Sequence, residues 1–190
     1  MRFMLTTALA VSILAAPAGA EDAGSTAPKV KLETTHGDIV LELDPARAPE
    51  STANFLAYVR DGHYDGTIFH RVIPGFMAQG GGFDTEYNKL PTRDPIQNES
   101  RNGLTNARGT IAMARTQMPH SATAQFFINL VDNGRLDGSE NNWGYAVFGR
   151  VVQGMDVVDA IAGIPTGPGG PFRSDVPQAP VVIKSATVVE

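Results

Sequence analysis

The chain has 190 residues, 42% of them hydrophobic and 18% charged, with 15 Lys and Arg against 20 Asp and Glu for a formal net charge of −5. That length supports one domain with a sizeable core. An acidic balance without a long Lys/Arg run makes nucleic acid, or an anionic membrane surface, a poor partner. The chain has no cysteine, which excludes disulfides, thiolate catalysis, cysteine-ligated zinc and a cysteine-borne lipid anchor.

The first residues read as an export signal. Arg2 is a short basic start, Phe3 to Ala16 is apolar apart from Thr6, Thr7 and Ser12, and Pro17 breaks the run. Ala18-Gly19-Ala20 fits the small-x-small cleavage pattern, and the apolar run is too short to span a bilayer. The expected organisation is a signal at 1–20, a flexible mature N-terminus at 21–27 and a single domain at 28–190. Cleavage leaves about 170 residues, still enough for a core without disulfides.

Val30–Thr35 and Ile39–Leu43 alternate in polarity around a His36-Gly37-Asp38 turn, which predicts a hairpin. A helix follows, with Pro49 at its first position, Thr52, Phe55, Leu56 and Val59 on one face, and Gly62 beyond its end. The middle is short apolar runs cut by Gly, Pro, Asn and Asp: Thr67–Val72, Phe76–Gln79, Thr110–Ala114, Phe126–Leu130 and Tyr145–Val151. A second helix is predicted from Met155 to Ala162, closed by Gly163. Gly167–Pro171 reads as a rigid loop, and Pro180–Val189 as a last strand. Many short strands with two separated helices fit a closed antiparallel barrel capped by two helices, since closure removes exposed edges.

Most catalytic chemistry finds no support. The histidines at 36, 63, 70 and 120 lack metal-ligand spacing. No Gly-x-Ser-x-Gly elbow is present, and Gly80-Gly81-Gly82 lacks the Lys-Ser/Thr and helix of a phosphate cradle. Neither a metal nor a cofactor is expected. What remains is polar residues set in apolar runs. In Phe69–Gly81, Arg71 is either half of a structural ion pair or a fixed charge facing a cleft with apolar walls. In Ser121–Ile128, Gln125 precedes Phe126 and Phe127, which point to opposite faces of a strand. One can fill the core while the other lines a surface pocket.

Taken together, Phe69–Gly81, Gly109–Arg115, Ser121–Ile128, Tyr145–Gly149 and Gly154-Met155 resemble the cyclophilins, the cyclosporin-type peptidyl-prolyl cis–trans isomerases, in order and in spacing. With the export signal, the chain looks most like their periplasmic bacterial branch. The resemblance implies an all-β fold: a closed eight-stranded antiparallel barrel, filled inside, capped by two α-helices and carrying its site in a groove on the outer wall. Position by position, Arg71 matches the catalytic arginine, and Phe76, Met77, Phe127 and Leu136 match the walls of the proline pocket. Gln79 matches a glutamine that helps orient Arg71 and the substrate. Ala114 and Arg115 match the edge that pairs with substrate backbone, and Gln125 lies on the same rim. His70 matches a conspicuous family histidine to which no chemical role is assigned. Tyr145 stands where animal members carry a histidine and is kept as a binding residue. Arg135 falls where they carry a tryptophan that grips cyclosporin, so weak cyclosporin binding is expected. The loop Asp137–Gly144 is longer than theirs, and its Trp143 is a candidate substitute.

The implied reaction needs no nucleophile, metal or proton carrier. The expected partners are proline-containing peptides and unfolded exported proteins, with no nucleic acid and no membrane after signal cleavage. A monomer is the expected state. One rival reading shares every site residue, a non-catalytic chaperone or binding module for proline-containing segments; another, a barrel that carries a small apolar ligand, predicts an empty interior where the large side chains suggest a filled one.

Overall fold

The computed structural model describes residues 27–189; the expected export signal at 1–20 and residues 21–26 of the expected mature N-terminus lie outside them. Strand β1 (Lys29–Thr34) buries Val30, Leu32 and Thr34, and β2 (Gly37–Leu43) buries Ile39, Leu41 and Leu43, the alternation read from their polarity. They pair from Lys29↔Glu42 to Thr34↔Gly37, so the predicted turn sits one residue earlier, with Gly37 already paired. Gly37 has φ +128, and a Cβ there would lie 2.8 Å from Val157, so glycine is required on both counts.

Helix α1 (Pro49–Arg60) starts at the predicted proline. Ala48 offers no capping side chain, and a distant residue does the work instead: the Glu99 carboxylate accepts from the N–H groups of Glu50 (2.9 Å) and Ser51 (2.7 Å). The helix turns Phe55, Leu56, Tyr58 and Val59 inward. Helix α2 (Met155–Ala162) has the predicted bounds, buries Val158 and Ile161, and donates its Gly163 N–H back to Asp159 and Ala160 carbonyls.

The remaining strands are β3 (Arg71–Ile73), β4 (Met77–Gly80), β5 (Thr110–Met113), β6 (Phe126–Asn129), β7 (Val147–Gln153), β8 (Thr166–Gly169), β9 (Phe172–Pro177) and β10 (Ile183–Val189). Eight form one antiparallel sheet in the order β10-β1-β2-β7-β5-β6-β4-β3. The sheet curls until its outer strands approach. As a ladder it is open, a small departure from the expected closed barrel. The predicted strand Thr67–Val72 divides, and its first half spans the seam. Phe69 N–H donates to Val181 O (3.0 Å), Ile183 N–H to Thr67 O (2.8 Å) and Gly66 N–H to Ile183 O (2.8 Å).

The interior is filled. Phe55, Tyr64, Phe69, Phe126 and Phe148 are fully buried there, and Phe126 meets Phe55, Tyr64 and Phe69 edge-on at centroid distances of 5.6, 5.5 and 5.9 Å. This packing removes the carrier-barrel reading, which needs an empty interior. α1 packs on β7 and β10, and α2 on β2, β3 and β4.

One expectation fails. Gly167–Pro171 is not a plain loop; it belongs to a second, two-stranded sheet of β8 and β9. Its three glycines and two prolines hide any strand pattern, yet the glycines are what let the hairpin sit close to its neighbour. A Cβ on Gly170 (φ +50) would fall 2.4 Å from the Tyr87 ring.

Candidate active site

Residues directly opposite in an antiparallel pair point to one face of the sheet. Register places Arg71 opposite Gln79, Gln79 opposite Phe127, Phe127 opposite Ala112 and Ala112 opposite Val147, a row running across β3, β4, β6, β5 and β7. The neighbouring row, Val72, Ala78, Ile128 and Ile111, belongs to the barrel core. So period-two alternation sends the first row outward, and Phe127 with Met77, Ala112 and Val147 forms a separate apolar cluster on the outer wall. Phe126 fills the core and Phe127 the wall, the division expected of that pair.

The β3–β4 turn sets Phe76 beside this row. Pro74 and Gly75 (φ +71) take the central positions, and Phe76 N–H donates to Ile73 O at 3.0 Å, the pattern of a type II turn. A buried network then holds the wall from beneath. Asn133 donates from Nδ2 to Phe76 O (2.9 Å) and Asn129 Oδ1 (2.8 Å), and Asn129 Nδ2 donates to Thr110 Oγ1 (2.9 Å) and Asn106 Oδ1 (3.2 Å). Leu136 N–H donates to Asn133 O (2.8 Å), and Tyr145 N–H to Leu136 O (2.8 Å). Little in the local sequence marks these asparagines, since Phe76 lies 57 residues from Asn133 and Asn106 lies 23 from Asn129.

The result is a cleft of about 230 Å³ lined by Arg71, Phe76, Met77, Gln79, Ala114, Arg115, Phe127, Leu136 and Tyr145. Every residue that the resemblance assigns to catalysis or substrate binding lines it except Gln125, which lies one hydrogen bond behind and accepts from Gln79 Nε2 at 2.8 Å. Tyr145 stands edge-on to Phe127 at 5.6 Å. Trp143 does not reach the cleft: it packs under the Arg101 guanidinium (3.9 Å) and against His120. Arg115 binds the carbonyls of Trp143 (2.7 Å) and Gly144 (3.0 Å), which holds that part of the loop away from the cleft. A larger cleft of about 450 Å³ shares no lining residue with this one, and its charges pair with each other, Arg47 with Asp44 and Arg150 with Glu42.

Arg71 satisfies both readings offered for it. Its side chain is 45% exposed in the cleft, and its Nε lies 3.5 Å from Asp175 Oδ2. Gln79, although in register with Arg71, gives its amide to Gln125 instead. Nothing near Asp175 in the chain marks it for the site; β9 delivers it from 104 residues away.

His70 lies behind the arginine, buried between Phe83 (4.7 Å) and Phe172 (5.5 Å), with its Nδ1 unpartnered. Burial, helped by the Arg71 charge, pushes its pKa down from 6.5 to about 4. The unfolded chain therefore binds the extra proton first. This stability is complete above the unfolded value and is lost as pH falls toward the folded one, about 2 kcal/mol between pH 7.5 and pH 5. Urea midpoints across that range should show the loss, and His70→Phe should reduce it, leaving the smaller share of His63, whose pKa burial also lowers. An unchanged slope in the variant would contradict this.

The family model described as cyclophilin type peptidyl-prolyl cis-trans isomerase/CLD matches residues 29–188. A peptidyl-prolyl cis-trans isomerase of Streptomyces antibioticus is 60% identical over 163 residues, 84% of this chain and 98% of that protein. Peptidyl-prolyl cis-trans isomerase B of Escherichia coli (strain K12) is 57% identical over 164 residues, 85% of this chain and 99% of that protein. Among solved structures, a Cryptosporidium parvum cyclophilin type isomerase in the presence of the dipeptide Ala-Pro has a TM-score of 0.69 at 26% identity, covering 85% of this chain and 99% of that one. With the outer-wall cleft and the curled sheet that carries it, these likenesses place the chain in one family: it belongs to the cyclophilin-type peptidyl-prolyl cis–trans isomerases.

Proposed function

We propose that the protein acts on exported chains in the periplasm, that the cleft seats their proline residues, and that Arg71 is the group that lowers the barrier. Peptide-bond rotation costs roughly 18–20 kcal/mol because resonance gives C–N double-bond character, so uncatalysed X-Pro exchange takes about tens to hundreds of seconds. A catalyst must favour the twisted amide over both planar forms. Once twisted, the proline nitrogen regains a lone pair and accepts a hydrogen bond. Arginine stays charged at any working pH and donates in a fixed plane.

The observation that carries this reading is the row Arg71–Gln79–Phe127, which sets one guanidinium beside an apolar wall that fits a proline ring. Phe76, Met77, Phe127 and Leu136 hold the ring, and Tyr145 covers it. Ala114 N–H already donates to Gln125 O (2.9 Å), so pairing with substrate backbone falls to its carbonyl and to Arg115 N–H. The relative crystallised with Ala-Pro supports a dipeptide-sized ligand. A chaperone or simple binding module would use the same walls but would not need the arginine.

The test is the refolding of an exported protein whose slow phase is X-Pro isomerisation. The phase should shorten with catalytic amounts of the protein; shortening only at stoichiometric amounts would favour the binding module. For export, the protein expressed in a bacterium should be recovered from the periplasm beginning at Glu21, as a monomer. Full-length protein in the cytoplasm would defeat that part.

Arg135 bears on cyclosporin. Its guanidinium lies 4.8 Å over the Phe76 ring, covering the pocket edge with a charge. Arg135→Trp should tighten cyclosporin binding about tenfold through apolar contact and an indole N–H donor, read by calorimetry. Equal affinity in both proteins would count against it.

A further inference from the structure

We infer that Asp175 positions Arg71 for the reaction. The inference deepens the reading of Arg71 as the donor and rests on it. Among the described residues, Asp175 is the one carboxylate paired with Arg71, its Oδ2 lying 3.5 Å from Nε. A guanidinium carries five N–H donors in one rigid plane. Engaging Nε fixes that plane and leaves Nη1 and Nη2 to donate to a substrate. Gln79 donates from Nε2 to Gln125, and among the described residues its Oε1 takes no hydrogen bond from Arg71.

Asp175 is itself held in an unusual state. Its φ is +67, a left-handed conformation that a residue other than glycine seldom adopts, and such residues cluster where the surrounding structure uses them. The hairpin that imposes it is anchored to the site. Phe172 on β9 packs on His70, which directly precedes Arg71, and on Phe83 (5.1 Å) and Tyr87 (6.2 Å). Val176 and Pro177, immediately after Asp175, are buried. One cluster therefore fixes both the strand bearing the carboxylate and the strand bearing the arginine. A long exposed side chain gains reach from its flexibility and loses aim, and a fixed partner restores the aim.

The pair is exposed, 45% for Arg71 and 33% for Asp175, so its effect is modest. Asp175→Gly keeps the left-handed backbone and removes the carboxylate. Asp175→Asn also tolerates that backbone and keeps a neutral acceptor. NMR line shapes of a titrated X-Pro peptide separate affinity from the exchange rate of bound peptide. Asp175→Gly is expected to slow bound exchange about three- to fivefold, with affinity within about twofold, and Asp175→Asn to fall between it and the wild type. A wild-type rate in both variants, a loss carried by affinity alone, or a slow Gly variant beside a wild-type Asn variant would overturn the inference. Arg71→Ala is measured alongside: if it leaves exchange intact, the donor reading fails first. If it abolishes exchange while Asp175→Gly does not, the positioning role alone fails.

Discussion

Arg71→Ala is expected to slow X-Pro exchange by about 100-fold while peptide affinity changes only severalfold. One charge-assisted hydrogen bond contributes roughly 1.5–3 kcal/mol in ordinary settings, or about 10–100-fold in rate. The upper end is expected once bound peptide covers the guanidinium against the apolar walls, since excluding water strengthens a donor aimed at charge that develops only in the twisted state. Affinity should survive because Phe76, Met77, Phe127 and Leu136 are untouched by the change. Arg71→Lys should recover little. Lysine keeps the charge but loses the planar fork, and with it an Nε that can bind Asp175 while other donors remain free. Protease-free exchange assays on all three proteins check both statements. Near-wild-type turnover in the lysine variant would show that charge alone suffices and geometry does not matter.

The second large effect concerns stability. Phe126→Ala should cost about 3–5 kcal/mol. Its ring is fully buried at the centre of the barrel, with Phe55, Tyr64 and Phe69 all edge-on to it. Truncation opens a cavity among large rings that already fill their space and cannot readily collapse into it. Phe127→Ala, one residue along the same strand, belongs to the outer-wall cluster and lines the cleft, so its main loss should appear in peptide affinity. Denaturant midpoints and peptide titrations of the two variants make a pair. A Phe126→Ala protein as stable as the parent, or a Phe127→Ala protein with intact affinity, would contradict the assignment of faces.

Local pattern carried much of the fold. The polarity of Val30–Leu43 announced the first hairpin, Pro49 marked the start of α1, and the apolar face of Met155–Ala162 marked α2 to the residue. The position of the cleft was legible for a similar reason. Arg71, Phe76, Met77 and Gln79 sit within one hairpin, and an arginine in an apolar run is conspicuous. The parts that escaped all depend on chain-distant contacts. The β8–β9 hairpin carries no strand signal, because Gly169 and Gly170 take the positions that lie against Tyr87 and prolines flank them. Asp175 gains meaning only when β9 folds beside β3. Asn106, Asn129 and Asn133 look like turn residues until the fold closes them into one network under Phe76. The resemblance makes Trp143 a candidate substitute for the tryptophan replaced by Arg135, but the carbonyl bonds to Arg115 hold that part of the loop away from the cleft.

The central claim is that a single guanidinium, and not the walls around it, lowers the barrier to rotation. It is tested most directly by exchange spectroscopy on a short Ala-Pro peptide, comparing the protein with Arg71→Ala at concentrations adjusted to equal peptide occupancy. The account predicts fast cis–trans exchange of bound peptide in the first and near-solution exchange in the second. Equal exchange rates at equal occupancy would contradict it and would leave the apolar walls as the source of the acceleration.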